Sequence, residues 1–222
     1  MKENRKDPHS LGFALITLGY RDYIAARFLL NHNFIIQGVT LASTAIEKYL
    51  KAILAINGRT KKVHLDKLEE LRSLLNESYY DIPNKFDKRF LNILAKAYKI
   101  RYYDNLNEPI TIGFFVNQFI GELDYAISFI ETQVIVNLKN QKGEVISTPY
   151  YQDIEAQEPH LFFNNYILSG ITKKDHMEKI DNGYAIYVDN NNPGGELIAK
   201  GNNIRNSYNG NMTEIHFKIL LD

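Results

Sequence analysis

Leu41-Ala42-Ser43-Thr44-Ala45-Ile46-Glu47-Lys48-Tyr49-Leu50-Lys51-Ala52-Ile53-Leu54 carries the decision about the fold. Ile46, Tyr49, Leu50, Ile53 and Leu54 recur at steps of three and four, which puts them on one stripe of a helix. Gly38, Ala42, Ser43 and Ala45 form a small-residue flank that lets another backbone approach closely. Glu47 is the single acid among the inward positions. It also stands four residues before Lys51, the favourable order for an ion pair on a helix surface.

Outward from this stretch, the helix runs from Phe34 to Ile56 and stops at Asn57-Gly58. Ahead of it, residues 11 to 32 repeat Leu15, Leu18, Tyr23 or Ile24, Ala26 and Leu29 or Leu30 at a helical period, with Ser10 as a cap and Asn31-His32-Asn33 as the break. Two such helices joined by a short break form an antiparallel hairpin. A third helix is expected from Leu65 to Leu75, and a fourth from Asn84 to Tyr103 with Phe86, Phe90, Leu94, Ala97, Tyr98 and Arg101 on one stripe. Arg101 on a buried stripe needs a partner, a route to water or a groove, because an unpaired buried guanidinium is costly. A fifth helix is expected from about Ile112 to Asn137.

From Lys139 the periodicity changes. Glu214-Ile215-His216-Phe217-Lys218-Ile219-Leu220 alternates strictly and reads as a strand. Gly183 to Val188 and Glu196 to Ala199 flank a polar loop as a hairpin, whereas residues 161–168 fit strand or helix equally. The expected architecture is therefore α+β: five antiparallel helices over residues 1–138 and a small β-rich appendage over 139–222.

Composition narrows the chemistry. Cysteine is absent from the 222 residues, which excludes disulfides, thiolate catalysis and cysteine metal sites. Neither a signal peptide nor a membrane span fits the charged start and interrupted apolar run of the first helix, so a cytoplasmic protein is expected. Net charge is zero. Residues 1–106 nonetheless hold 18 Lys+Arg against 11 Asp+Glu, and residues 107–222 hold 8 against 15. A basic front half can meet a phosphate backbone; the reading that needs no partner is attraction between the halves.

The helical part resembles the HEPN domain, the module named for higher eukaryotes and prokaryotes nucleotide-binding proteins. The residues that carry the resemblance are Ala45 to Leu54, Gly58, His64-Leu65 with Leu68 and Leu71, and Ala97-Tyr98-Lys99-Ile100-Arg101-Tyr102-Tyr103-Asp104, within about residues 10 to 135. The resemblance implies a homodimeric helical bundle with a polar groove between the second and fourth helices. Many members are RNases or RNA-linked toxins, and others bind nucleotides or partner nucleotidyltransferases. The nuclease members carry an Arg followed, after four to six residues, by a His that moves protons at the 2′-hydroxyl. After Arg101 those positions are Leu106, Asn107 and Glu108, so the motif is not intact.

The expected function is therefore a non-enzymatic module that binds a nucleotide, RNA or a protein partner through Glu47, Arg101, Tyr102 and Asp104. Arg101 would meet a phosphate, and Glu47 would orient it by a charge-assisted hydrogen bond. The alternatives are a metal-independent endoribonuclease using Arg101 with His64, and a plain dimerisation scaffold. Arg59, Lys61, Lys62 and His64 form a local basic cluster that could touch phosphate. Arg59 to His64 and Arg27 to His32 both repeat the Arg-x4-His spacing away from the motif's place, and Arg27 to His32 reads as a helix end. His160, His176 and His216 have no metal-ligand spacing, Gly194-Gly195 lacks the residues of a phosphate-binding loop, and Glu69-Glu70 reads as solvated surface. No metal, cofactor or membrane partner is expected.

Overall fold

Gly12, Gly19 and Gly38 decide how closely the first two helices pack. A Cβ on Gly12 would lie 2.5 Å from the Ile56 side chain, and one on Gly38 would lie 2.6 Å from that of Leu30. In the computed structural model, which describes residues 8–59, 64–76, 82–102, 106–135, 147–191, 196–205 and 210–212, these glycines join α1 (Pro8–Asn31) to α2 (Ile35–Ile56). The turn between them uses Asn33 at φ 64°, a left-handed backbone that asparagine tolerates. Gly58 at φ 73° ends α2, with the Arg59 amide donating to the Leu54 carbonyl at 2.8 Å.

The small-residue flank of α2 serves two neighbours. Gly38 meets α1, while the Ser43 hydroxyl donates to the Leu94 carbonyl at 2.8 Å on α4 (Lys88–Ile100). A short α3 (Leu68–Asn76) follows one 3-10 turn at Leu65–Lys67. The fourth helix is shorter than its periodicity suggests. Asp87 caps it, accepting from the Arg89 and Phe90 amides at 2.8 and 2.9 Å, and the preceding Pro83–Lys85 is a 3-10 turn.

The fifth helix begins four residues later than expected. Ile110–Phe115 is a strand, β1, with Ile110, Ile112 and Phe114 buried on one face. Pairing decides this: β1 runs antiparallel to β2 (Ile180–Val188), with Ile112 opposite Ile186 and Phe115 opposite Gly183. β2 in turn pairs antiparallel with β3 (Glu196–Arg205), so the sheet order is β1-β2-β3 and the hairpin expected around residue 190 is present. α5 (Val116–Phe129) follows without a loop and without a side-chain cap of its own. Asp181 of β2 replaces that cap, accepting from the Asn117 amide at 2.7 Å and the Gln118 amide at 3.3 Å.

α5 ends in a π-helical segment, Ile130–Ile135, which carries the buried Glu131. Three short helices precede the hairpin: α6 (Pro149–Glu155), α7 (Pro159–Phe162) and α8 (Lys173–Met177). The segment left open between strand and helix, 161–168, therefore ends α7 and continues in turns. Tyr150, Leu161, Tyr184 and Ile186 belong to the same buried apolar cluster as Ile46, Leu50, Phe90 and Phe119. The architecture is a helical bundle with a small antiparallel β region. The expected boundary at 138–139 and the strand Glu214 to Leu220, with His216, lie outside the described residues. Among the described residues no helix is long and apolar enough to cross a membrane.

Candidate functional site

Where α2 passes α4 and the start of the third helix, three polar side chains and one backbone amide gather on the Glu47 carboxylate. Lys51 Nζ lies 2.6 Å from Glu47 Oε1, His64 Nδ1 lies 3.1 Å from the same oxygen, and Arg101 Nη2 lies 3.8 Å from Oε2. The Leu65 amide also points at Oε2, at 3.5 Å. Helical periodicity positions Thr44, Glu47 and Lys51 at steps of three and four on one face of α2. Arg101 is the residue that ends α4.

Sequence reasoning placed Glu47 opposite Arg101, and the structure brings them together. The contact is an ion pair, however, at a separation too long for the expected hydrogen bond. The hydrogen bond of Arg101 goes instead from Nη1 to the Thr44 hydroxyl at 2.8 Å. Its guanidinium also lies over the Tyr98 ring, 4.4 Å from the centroid, and 5.7 Å from that of Tyr102. Thr44 and Tyr98 had not been expected as site residues. The signal for Thr44 was its position three residues before Glu47 on the same helix face.

Burial separates the roles of these groups. The Glu47 side chain is 10% exposed, against 24% for Lys51, 25% for Arg101 and 44% for His64. A surface pair between Glu47 and Lys51 is therefore only half right: the pair forms, but its acid is nearly sealed. The Tyr98 ring packs at a tilt against the His64 ring at 5.3 Å and against the Tyr102 ring at 5.5 Å. Burial, followed by the hydrogen bond with Tyr102, pushes the Tyr98 hydroxyl up to about 12, so it stays neutral. Tyr102 is 50% exposed, and behind it a hollow of about 270 Å³ is lined by Tyr98, Lys99, Leu106, Asn107, Glu108 and Ile110.

Arg59 does not join the cluster through its guanidinium, which donates to the Leu74 carbonyl at 3.3 Å. Lys61, Lys62 and Asp104 lie outside the described residues. His32 sits at the end of α1 with Nδ1 2.7 Å from the Phe28 carbonyl. His176 is buried, held by burial at about 4, and its Nε2 meets the Asn117 carbonyl at 3.1 Å. Among the described residues no three His, Cys, Asp or Glu side chains gather as a metal-binding group.

A second polar cluster, missed in the sequence, is structural. Arg27 Nε lies 2.8 Å from Asp124 Oδ1, Tyr23 donates to the same oxygen at 2.8 Å, and Arg27 Nη2 donates to the Phe163 carbonyl at 2.8 Å. It ties α1, α5 and the turn after α7 together, and it joins the basic front half to the acidic second half.

No curated protein and no solved structure matches the chain. A family model, the HEPN domain, matches residues 14–136, which contain both helices of the Glu47 cluster and more than half of the sequence. With the α1–α2 hairpin packed through glycines, α4 laid against α2, and Arg101 brought to Glu47 within that span, the chain belongs to the HEPN domain family.

Proposed function

We propose that the groove between α2 and α4 binds the phosphate of a nucleotide or of RNA without cleaving it. The observation that supports this reading is the convergence of Lys51, His64 and Arg101 on Glu47. Two permanent cations face one carboxylate, which leaves a positive surplus for an anion. Arg101, held over the Tyr98 ring and tethered to Thr44, presents its planar donors in a fixed direction to phosphate oxygens. Tyr102 offers an exposed ring face to a base.

His64 favours a second reading, the metal-independent endoribonuclease. Donation from Nδ1 to Glu47 would leave Nε2 to accept the proton of a 2′-hydroxyl. Lys51 Nζ stands 3.2 Å from the same Nδ1, however, and as a donor it selects the opposite tautomer. This competition supports binding over catalysis.

The experiment uses purified protein, measured for excess absorbance near 260 nm and then incubated with RNA and a chelator, beside Arg101→Ala and His64→Ala. Binding of RNA or nucleotide that is lost in Arg101→Ala, without cleavage, is the expected result. Cleavage that persists with chelator and disappears in both variants would replace this reading with the nuclease. No binding, with unchanged folding of Arg101→Ala, would leave the cluster as a structural tie in a scaffold.

A further inference from the structure

Between α1 and the α6–α7 segment an open groove of about 920 Å³ follows the first helix from Phe13 to Leu29, a run of about 24 Å. Small-molecule sites span roughly 300–1,000 Å³ and combine apolar walls with a few placed polar groups. This groove is long and narrow, so it suits an extended chain better than a compact ring system. Ile24, Ala25 and Leu29 are half-buried along one wall, and Pro149 is half-buried on the other. Phe28 is 59% exposed, yet its ring is stacked on that of His32 at 4.2 Å, which holds it in place as part of the wall.

The charged groups of the groove are matched to one another, with one exception. Tyr20 donates to Asp153 Oδ2 at 2.5 Å, and His160 Nε2 lies 2.8 Å from the same oxygen. Burial, followed by the bond to Asp153, pushes the Tyr20 hydroxyl up, so it remains a donor. His160 Nδ1 faces Glu158 at 3.7 Å. The exception is Arg21, which lines the groove one turn before Ala25 and is exposed. Among the described residues its guanidinium has neither a hydrogen bond nor an ion pair. Its neighbour Asp22 does not neutralise it, being taken by Lys48 at 2.7 Å.

We propose that this groove binds a free medium-chain monocarboxylate, its head on Arg21 and its hydrocarbon chain along Ile24, Ala25 and Phe28. The planar fork of a guanidinium matches the two oxygens of a carboxylate. A second anionic group on the ligand would meet Asp153 or Glu158, which restricts the head to one charge. From Arg21 to Phe28 the apolar wall is about 10 Å long, enough for a medium chain and too short for a longer one. The site shares no residue with the Arg101 cluster.

Isothermal titration of the full chain with fatty acids of increasing length, each beside the alcohol of the same length, tests the proposal. Octanoate is expected to bind about tenfold more tightly than octanol. Affinity is expected to rise about twofold to fourfold per CH₂ from hexanoate to decanoate and to level off at dodecanoate. Arg21→Gln is expected to reduce octanoate to the affinity of octanol, with octanol binding and the thermal melt unchanged. Ala25→Trp, which fills the groove, is expected to abolish binding of both. Equal affinity for octanoate and octanol would overturn the proposal, as would no octanoate binding at millimolar concentration or an Arg21→Gln variant that binds octanoate as the wild type does. Binding to phosphatidylglycerol vesicles that needs Arg21, without binding of octanoate, would assign the groove to a lipid surface instead.

Discussion

Arg101 lies 3.8 Å from Glu47, Nη2 to Oε2, close enough to neutralise it and too far to be fixed by it. Position comes from elsewhere: the hydroxyl of Thr44 at 2.8 Å and the face of Tyr98 at 4.4 Å. Shape therefore matters here beyond charge. Arg101→Lys keeps the cation but loses the planar fork that bonds Thr44 while lying over the Tyr98 ring. It is expected to weaken nucleotide or RNA binding about tenfold, roughly 1.4 kcal/mol, measured by titration at fixed salt. An unchanged affinity would show that charge alone drives binding.

The Arg27–Asp124 pair predicts a stability effect. Both groups are sealed from water, and burial raises Asp124 to about 6 despite the guanidinium beside it. Removing one partner strands the other. Asp124→Asn is expected to cost about 3–5 kcal/mol in urea unfolding, with Arg27→Ala in the same range. A loss below about 1 kcal/mol would mark the pair as solvated.

Glu131 predicts a pH dependence. It accepts from the Tyr49 hydroxyl at 2.6 Å and the Thr148 hydroxyl at 2.8 Å, yet burial outweighs both bonds and raises it to about 7 from an ordinary 4.5. Between those values the folded chain holds a proton that the unfolded chain releases, so this group's contribution falls as pH rises from 4.5 to 7. His176, lowered to about 4, acts in the opposite sense between pH 4 and 6.5, so the wild-type curve alone does not isolate Glu131. The difference between wild type and Glu131→Gln does. The variant is expected to gain on the wild type by on the order of 3 kcal/mol between pH 4.5 and 8. A constant difference across that range would assign Glu131 an ordinary titration.

Ser43 predicts a smaller effect. Its buried hydroxyl is the polar tie from α2 to the Leu94 carbonyl. Ser43→Ala removes that bond at little change in volume and is expected to cost about 1 kcal/mol in chemical denaturation. Ser43→Leu is expected to cost several times more by pushing α4 away.

The helical period of residues 41–54, the Asn57-Gly58 stop and the Asn31-His32-Asn33 break determined the α1–α2 hairpin from the sequence alone, because local geometry places residues three and four apart on one face. The same periodicity put Arg101 on a buried stripe of the fourth helix, and the family resemblance, with its polar groove between the second and fourth helices, set Glu47 opposite it. Periodicity also misled. Ile110, Ile112 and Phe114 alternate as a strand does, yet Phe115 and Phe119 fit a helix, and only pairing with residues 183–188 chose between them. Tertiary structure alone decided two further relationships: Asp181 capping α5, and Arg27 finding Asp124 ninety-seven residues away. Each joins groups brought together by chain folding, and spacing along a sequence encodes such meetings only within a helix turn or a strand.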